Sequence, residues 1–232
     1  MLGHGLKRAL IVATAAIGIL VAASAAVASP ITVYSQPGKV YQNTANNPCI
    51  FYGPGTCPAD PVGWPPPAGD TNQDPPMLTR DYAGADYAAF AAVAGTSFIL
   101  GYDVNQTSNA EQLLGFSIYF NNALAYSFAG SLDLPDNNNG LGWADVILAA
   151  GCTGTVGAGT PPTCTGYAPF LVPAGTTSVK FTLDFTGNDG PDKVFLIPTG
   201  GPPPPVVPEP ASLVLLGSGL VGVARMFRKR RA

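Results

Sequence analysis

Apolar and polar positions alternate with a period of two through the central part of this chain. Between Ser178 and Phe185, Val179, Phe181, Leu183 and Phe185 fall on one side, and Ser178, Lys180, Thr182 and Asp184 on the other. Phe116, Ile118 and Phe120 repeat the pattern. A period of two marks a strand with one face buried. Thr96–Val104, Ala123–Phe128, Trp143–Ala149, Ala168–Val172, Lys193–Pro198 and Ile31–Ser35 read as further strands. Asn121-Asn122 stands between two such runs as a two-residue hairpin turn, because Asn tolerates positive φ. Gly187–Asp192 is a second strong turn. The expected fold class is all-β, a jelly-roll-like β-sandwich of seven to nine short strands. One Ala-rich stretch, Asp81–Val93, is a helical candidate whose Tyr and Phe spacing fits helix and strand alike.

Glycine and proline break the pattern. Residues 53–76 contain 12 Gly or Pro among 24 positions, so they form no regular element. A long surface loop is expected there, with Trp64 tacking it down. Residues 198–207 include Pro202–Pro205. Four consecutive prolines adopt polyproline II, and ten such residues span about 30 Å. This segment reads as a stiff linker.

The two ends carry a different pattern, long apolar runs beside basic residues. Lys7 and Arg8 precede a charge-free stretch that closes on Ala26-Val27-Ala28. Small residues at Ala26 and Ala28 fit signal peptidase, with Ser29 as the first mature residue. Residues 1–28 therefore read as a signal helix, 29–197 as the exported domain, 198–207 as the linker and 208–232 as a separate tail. In the tail, Pro208-Glu209-Pro210 is followed by fourteen uncharged residues, Ala211–Ala224, and then by Arg225, Arg228, Lys229, Arg230 and Arg231. That apolar run is a short transmembrane helix whose basic end stays cytoplasmic.

Pro208-Glu209-Pro210, the Gly-spaced helix with Gly217, Gly219 and Gly222, and the terminal Arg-rich run resemble the PEP-CTERM sorting signal. Arg225 interrupts the apolar run earlier than the pattern has it. The resemblance implies a Gram-negative, exopolysaccharide-producing source and processing by exosortase, a membrane protease-transpeptidase that reads Pro208, Glu209 and Pro210. It implies export, transient anchoring in the inner membrane, and then a place at the cell surface or outside. Similar tails lend their name to some ice-binding proteins, but no Thr-x-Thr ladder runs through this domain.

Charge removes whole classes of function. Residues 29–207 hold four basic residues (Lys39, Arg80, Lys180, Lys193) against thirteen acidic ones, a net charge of −9. Nucleic acid is excluded as a partner, because phosphate binding needs clustered cations. The single histidine, His4, lies in the signal segment, which removes His-based triads and His metal ligands from the mature chain. The acidic residues read mainly as solvated surface.

Cys49, Cys57, Cys152 and Cys164 allow three pairings. Proximity selects Cys49–Cys57 and Cys152–Cys164, and an oxidising destination selects disulfides over zinc. No cofactor is expected. Two Asp/Asn-rich turns, Asp133–Gly140 and Asn188–Asp192, offer oxygens that calcium could take, but they lack the EF-hand spacing and read as ordinary turn sequences.

The functional expectation is a non-enzymatic envelope or extracellular-matrix protein linked to exopolysaccharide or biofilm. Its partners are signal peptidase and the secretion machinery, exosortase, and the membrane through its C-terminal helix. A carbohydrate-binding module using Trp64, Trp143 or loop tyrosines is the alternative. An Asp/Glu-dependent hydrolase, using Glu111 with a nearby Asp, is the second.

Overall fold

Strands that alternate and strands that do not belong to two different sheets. The computed structural model describes residues 28–52, 57, 59–67, 77–105, 111–135, 142–186 and 192–200. In chain order the elements are β1 (Ser29–Pro30), β2 (Thr32–Ser35), β3 (Cys49–Tyr52), β4 (Leu78–Ala83), α1 (Ala85–Ala94), β5 (Ser97–Asp103), β6 (Gln112–Phe120) and β7 (Ala123–Asp133). They continue with β8 (Val146–Ala149), β9 (Gly151–Cys152), β10 (Tyr167–Ala168), β11 (Phe170–Leu171), β12 (Ser178–Thr186) and β13 (Lys193–Pro198). The first sheet runs β1-β7-β6-β12-β4 and the second β2-β8-β5-β13-β3, with β11 also pairing β5. All pairings are antiparallel except β1 with β7. The all-β expectation holds.

The two sheets meet through aromatic rings. Phe181 of β12 lies 6.0 Å from Phe98 of β5 in the opposite sheet, and 6.0, 5.9 and 6.3 Å from Tyr82, Phe90 and Phe116. Phe51 of β3 packs edge-on to Phe116 across the same gap, at 6.3 Å. All of these rings are fully buried. Phe90 enters from α1, a helix bounded by Gly84 and Gly95, both at positive φ.

Burial explains the patterns. On β12 every second residue is buried, so the outer face of the first sheet meets solvent. On β5 and β8 every residue is buried, as are the first five of β13. Their alternate side chains serve two cores. Leu100, Tyr102, Val146, Leu148, Val194 and Leu196 face the first sheet, whereas Ile99, Ile147, Phe195 and Ile197 face a second cluster on the outside. A strand buried on both faces reads as a continuous apolar run. The ring of Phe195 lies so close over Gly101 that a Cβ there would meet its Cζ at 2.5 Å.

Several boundaries differ from expectation. Asp81–Val93 is neither helix nor strand throughout, since Gly84 divides the end of β4 from the start of α1. The strand expected at Trp143–Ala149 begins at Val146, and Asp145 just before it accepts the Val104 N–H through its carboxylate. β7 extends past Phe128 to Asp133, and β3 appears within sequence that Pro48 and Gly53 disguise as loop. The Asn121-Asn122 turn is present, with φ of 50° and 64°. Asn121 Oδ1 accepts the N–H groups of Thr177 and Ser178, at 2.8 and 3.2 Å, tying the hairpin to β12. No described helix is long and apolar enough to cross a membrane, and residues 1–27 of the signal segment and the tail segment lie outside the described residues.

Truncating the ring that joins the sheets tests this packing. Phe181→Ala should cost about 3–5 kcal/mol of unfolding free energy in a urea titration. A loss below about 1 kcal/mol would mean that the sheets are not held together at this point.

Candidate functional site

Strands buried on both faces leave their loop-proximal N–H groups without ladder partners, and buried donors must be satisfied. At the C-terminal end of β5 acidic side chains supply the acceptors. Val104 N–H donates to Asp145 Oδ2 at 2.9 Å, and Asn105 N–H to Asp192 Oδ1 at 2.6 Å. Gly142 N–H donates to Asp103 Oδ2 at 2.6 Å. On the core side, the Tyr102 hydroxyl donates to Glu111 Oε1. Asp103, Glu111, Asp145 and Asp192 are each at most 2% exposed. This corrects the expectation of solvated acids. The physical reason is that these four act as backbone and hydroxyl acceptors at the mouths of loops.

The charge of one of them is balanced directly. Lys193 Nζ lies 3.2 Å from Asp103 Oδ2, with side-chain exposures of 9% and 3%. The Tyr52 ring centroid is 5.6 Å from the same ammonium. Burial, then the Glu111 and Asp192 carboxylates, push the Tyr102 hydroxyl well above its ordinary range, so it remains a donor.

Glu111, named as the possible hydrolase acid, is thus 1% exposed and engaged by Tyr102. Of the two calcium-candidate turns, Asp133 is exposed and accepts from Gln112 Nε2 at 2.6 Å, while Asp192 is buried. Residues 136–141 and 187–191 lie outside the described residues. One group of three potential ligands is found among the described residues, Cys49, Cys57 and Asp60. Its sulfurs are spent in a disulfide, which does not fit a metal.

Both disulfides pair as proximity predicts, Cys49–Cys57 and Cys152–Cys164, and no described cysteine is free. The first anchors the Gly/Pro-rich loop together with two side chains that converge on Cys49. Trp64 Nε1–H donates to Cys49 O at 2.8 Å, and Cys49 N–H donates to Asp60 Oδ1 at 2.7 Å. Trp64 is buried against Tyr82 and is therefore a structural anchor. Trp143 is half-buried beside Gln42. Tyr41 and Tyr167 are half-buried on the outer face of the second sheet, beside buried Tyr34.

The residues read as addresses fall elsewhere. Ala26, Pro208, Glu209 and Pro210 lie outside the described residues. Ala28 is described, and Ser29 opens β1, paired with Tyr126 of β7. Residues 206–231 match the PEP-CTERM protein-sorting motif. No curated protein and no solved structure matches the chain.

Two measurements follow from these buried groups. Lys193→Met leaves Asp103 without its cation and should cost about 3–5 kcal/mol. Adding Asp103→Asn, which keeps an acceptor for Gly142, should recover much of that loss, and a purely additive pair would contradict the coupling. Burial pushes the Asp60 carboxyl up to about 6, partly offset by the Cys49 N–H. A raised carboxyl stabilises the fold most below its unfolded value, and that contribution is lost as pH rises through about 6. Asp60→Asn should flatten the Tm profile between pH 4 and 7 by about 3 °C, a modest effect because the group is half-exposed. Parallel profiles for parent and variant would rule this out.

Proposed function

We propose that this chain is an exported, exosortase-processed protein of the Gram-negative envelope or extracellular matrix, without enzymatic activity. The sorting motif at residues 206–231 carries the reading. The chain order supports it: a signal helix at 1–28, a jelly-roll-like sandwich at 29–197, a proline linker at 198–207 and the tail at 208–232. Strand order supports the jelly-roll assignment, since β3-β13-β5-β8 faces β4-β12-β6-β7 across the aromatic core. Two disulfides fit an oxidising destination. The non-enzymatic reading draws on a mature segment without histidine and on the burial of Glu111. A link to exopolysaccharide or biofilm follows from the class of cell that uses such tails.

The order of motif, apolar run and arginines in the tail sets the expected processing. Pro208 and Pro210 hold the approach to the membrane extended, because each disfavours α geometry before it. Glu209 then falls at the outward-facing membrane–water boundary of the inner membrane, where a carboxylate is recognised without crossing lipid. Arg228–Arg231 pin the helix from the cytoplasmic side and set the depth of the motif. While anchored, the chain exposes its domain outside the inner membrane, and after cleavage it is released to the surface.

Glu209→Ala, or replacement of Pro208 and Pro210, should leave export intact and trap an uncleaved membrane-bound form. Fractionation with intact-mass measurement of the released protein decides the matter. Normal trimming and release of the motif variants would reduce the tail to a plain anchor and overturn the assignment.

A further inference from the structure

The outer face of the second sheet is covered by chain rather than by another sheet. After β9 the chain makes an excursion through residues 153–166 and returns in β10, and Cys152–Cys164 closes it. Ser35 N–H donates to Pro162 O at 2.8 Å, fastening the excursion to β2. Between this cover and the segment after β2 lies a cleft of about 230 Å³. Val40, Ile99, Cys164 and the rings of Tyr41 and Tyr167 form its apolar surface, and Gln36, Thr165 and Thr199 are its polar side chains.

Its chemistry is specific. No lining residue carries a charge. The rings of Tyr41 and Tyr167 meet edge to face, with centroids 6.3 Å apart, and Tyr34 backs Tyr167 at 5.6 Å. The Tyr167 hydroxyl donates to Gln36 Oε1 at 2.6 Å, which orients the buried amide. Burial, with Tyr41 and Tyr34 nearby, pushes that hydroxyl up to about 12, so it keeps its proton in any biological medium. Thr165 Oγ1 accepts from Thr155 N–H at 2.8 Å, which leaves the exposed hydroxyl proton to donate. Thr199 Oγ1 donates to Ser97 Oγ at 3.1 Å, which leaves its lone pairs to accept. Thr199 N–H is itself bonded to Ser97 O at 3.0 Å, so this wall is held by β5.

Such a site selects its ligand by exclusion as well as by attraction. A charged group finds no counter-charge in it. A wholly apolar ligand would strip water from the threonine hydroxyls without replacing their hydrogen bonds. Sites that engulf drug-sized molecules measure roughly 300–1,000 Å³, so this cleft takes a single small ring. A neutral pyranose meets every condition. Its C–H face lies on tyrosine, and its hydroxyls both donate and accept. We propose that the Tyr41/Tyr167 cleft is a binding subsite for one uncharged sugar ring of a glycan. The walls are fixed by a disulfide and by strand backbone, so little ordering cost opposes binding. The inference goes beyond the sorting assignment and does not rest on it.

The test titrates the full-length protein, held in a zwitterionic, sugar-free detergent, with glucose, galactose, mannose and N-acetylglucosamine, and with glucuronate as the charged comparator. Binding is read by calorimetry and by saturation-transfer NMR. At least one neutral sugar should bind with a Kd on the order of 1 mM, as expected for a single-ring subsite. Glucuronate should bind at least ~10-fold more weakly, and so should the neutral sugar to Tyr41→Ala and Tyr167→Phe. Tyr41→Phe, which keeps the ring, should stay within ~2-fold of the parent, and an unchanged Tm in Tyr41→Ala and Tyr167→Phe separates site loss from misfolding. Processing and release of all three variants should remain normal, so failure here is distinguishable from failure of the sorting assignment. Absence of neutral-sugar binding up to ~100 mM, equal binding of glucuronate, or full affinity in both Tyr41→Ala and Tyr167→Phe would overturn the proposal.

Discussion

The contact between Phe181 and Phe98 joins two sheets that share no backbone hydrogen bond there. Phe90 from α1 and Tyr82 from β4 close on the same rings, so helix, hairpin and both sheets depend on one desolvated cluster. Burying such rings is the main favourable term available to a chain with so few charges, and their edge-on geometry adds direction to it. Once this core is set, the inward face of each strand is decided and its register cannot slip by one residue without exposing phenylalanine.

The second consequence falls on the other side of one sheet. β5, β8 and β13 are apolar on both faces, so the sheet that contains them needs a second cover. The excursion between β9 and β10 provides it, and its disulfide holds a segment of Gly, Thr and Pro that has no regular structure of its own. A cover made of loop does not close as tightly as a sheet. The tyrosine cleft is what remains between the two. Binding sites on such folds belong to connections supported by a rigid scaffold, and this one follows that rule.

The ends of these strands impose a further constraint. Where the chain leaves a fully buried strand, its N–H groups have neither water nor a neighbour, and a carboxylate is the strongest acceptor available to them. Asp103, Asp145 and Asp192 each take one such donor, and Lys193 balances Asp103. The sequence carries a signal for this arrangement in hindsight. Each of the three acids lies at or within two residues of a strand that is apolar on both faces. Composition alone assigns them to the surface, because acids without a visible partner are usually solvated.

Local pattern was sufficient for much of this protein. Alternation located β6 and β12, Asn121-Asn122 located the hairpin, and the order of motif, apolar run and arginines at the C-terminus located the sorting signal. Each of these is written over a few consecutive residues, because period, turn chemistry and a linear motif are properties of neighbours in the chain. Cysteine proximity succeeded for the same reason. Tertiary structure alone decided the rest. It brought Glu111 under Tyr102, set Asp192 on Asn105 from 87 residues away, and placed Tyr167 against Gln36 from 131 residues away. That Trp64 tacks down its Gly/Pro-rich loop is legible from its setting, but its anchoring partner, the carbonyl of Cys49, is not. Partners distant in sequence meet only after both sheets have closed, and no spacing along the chain records that meeting.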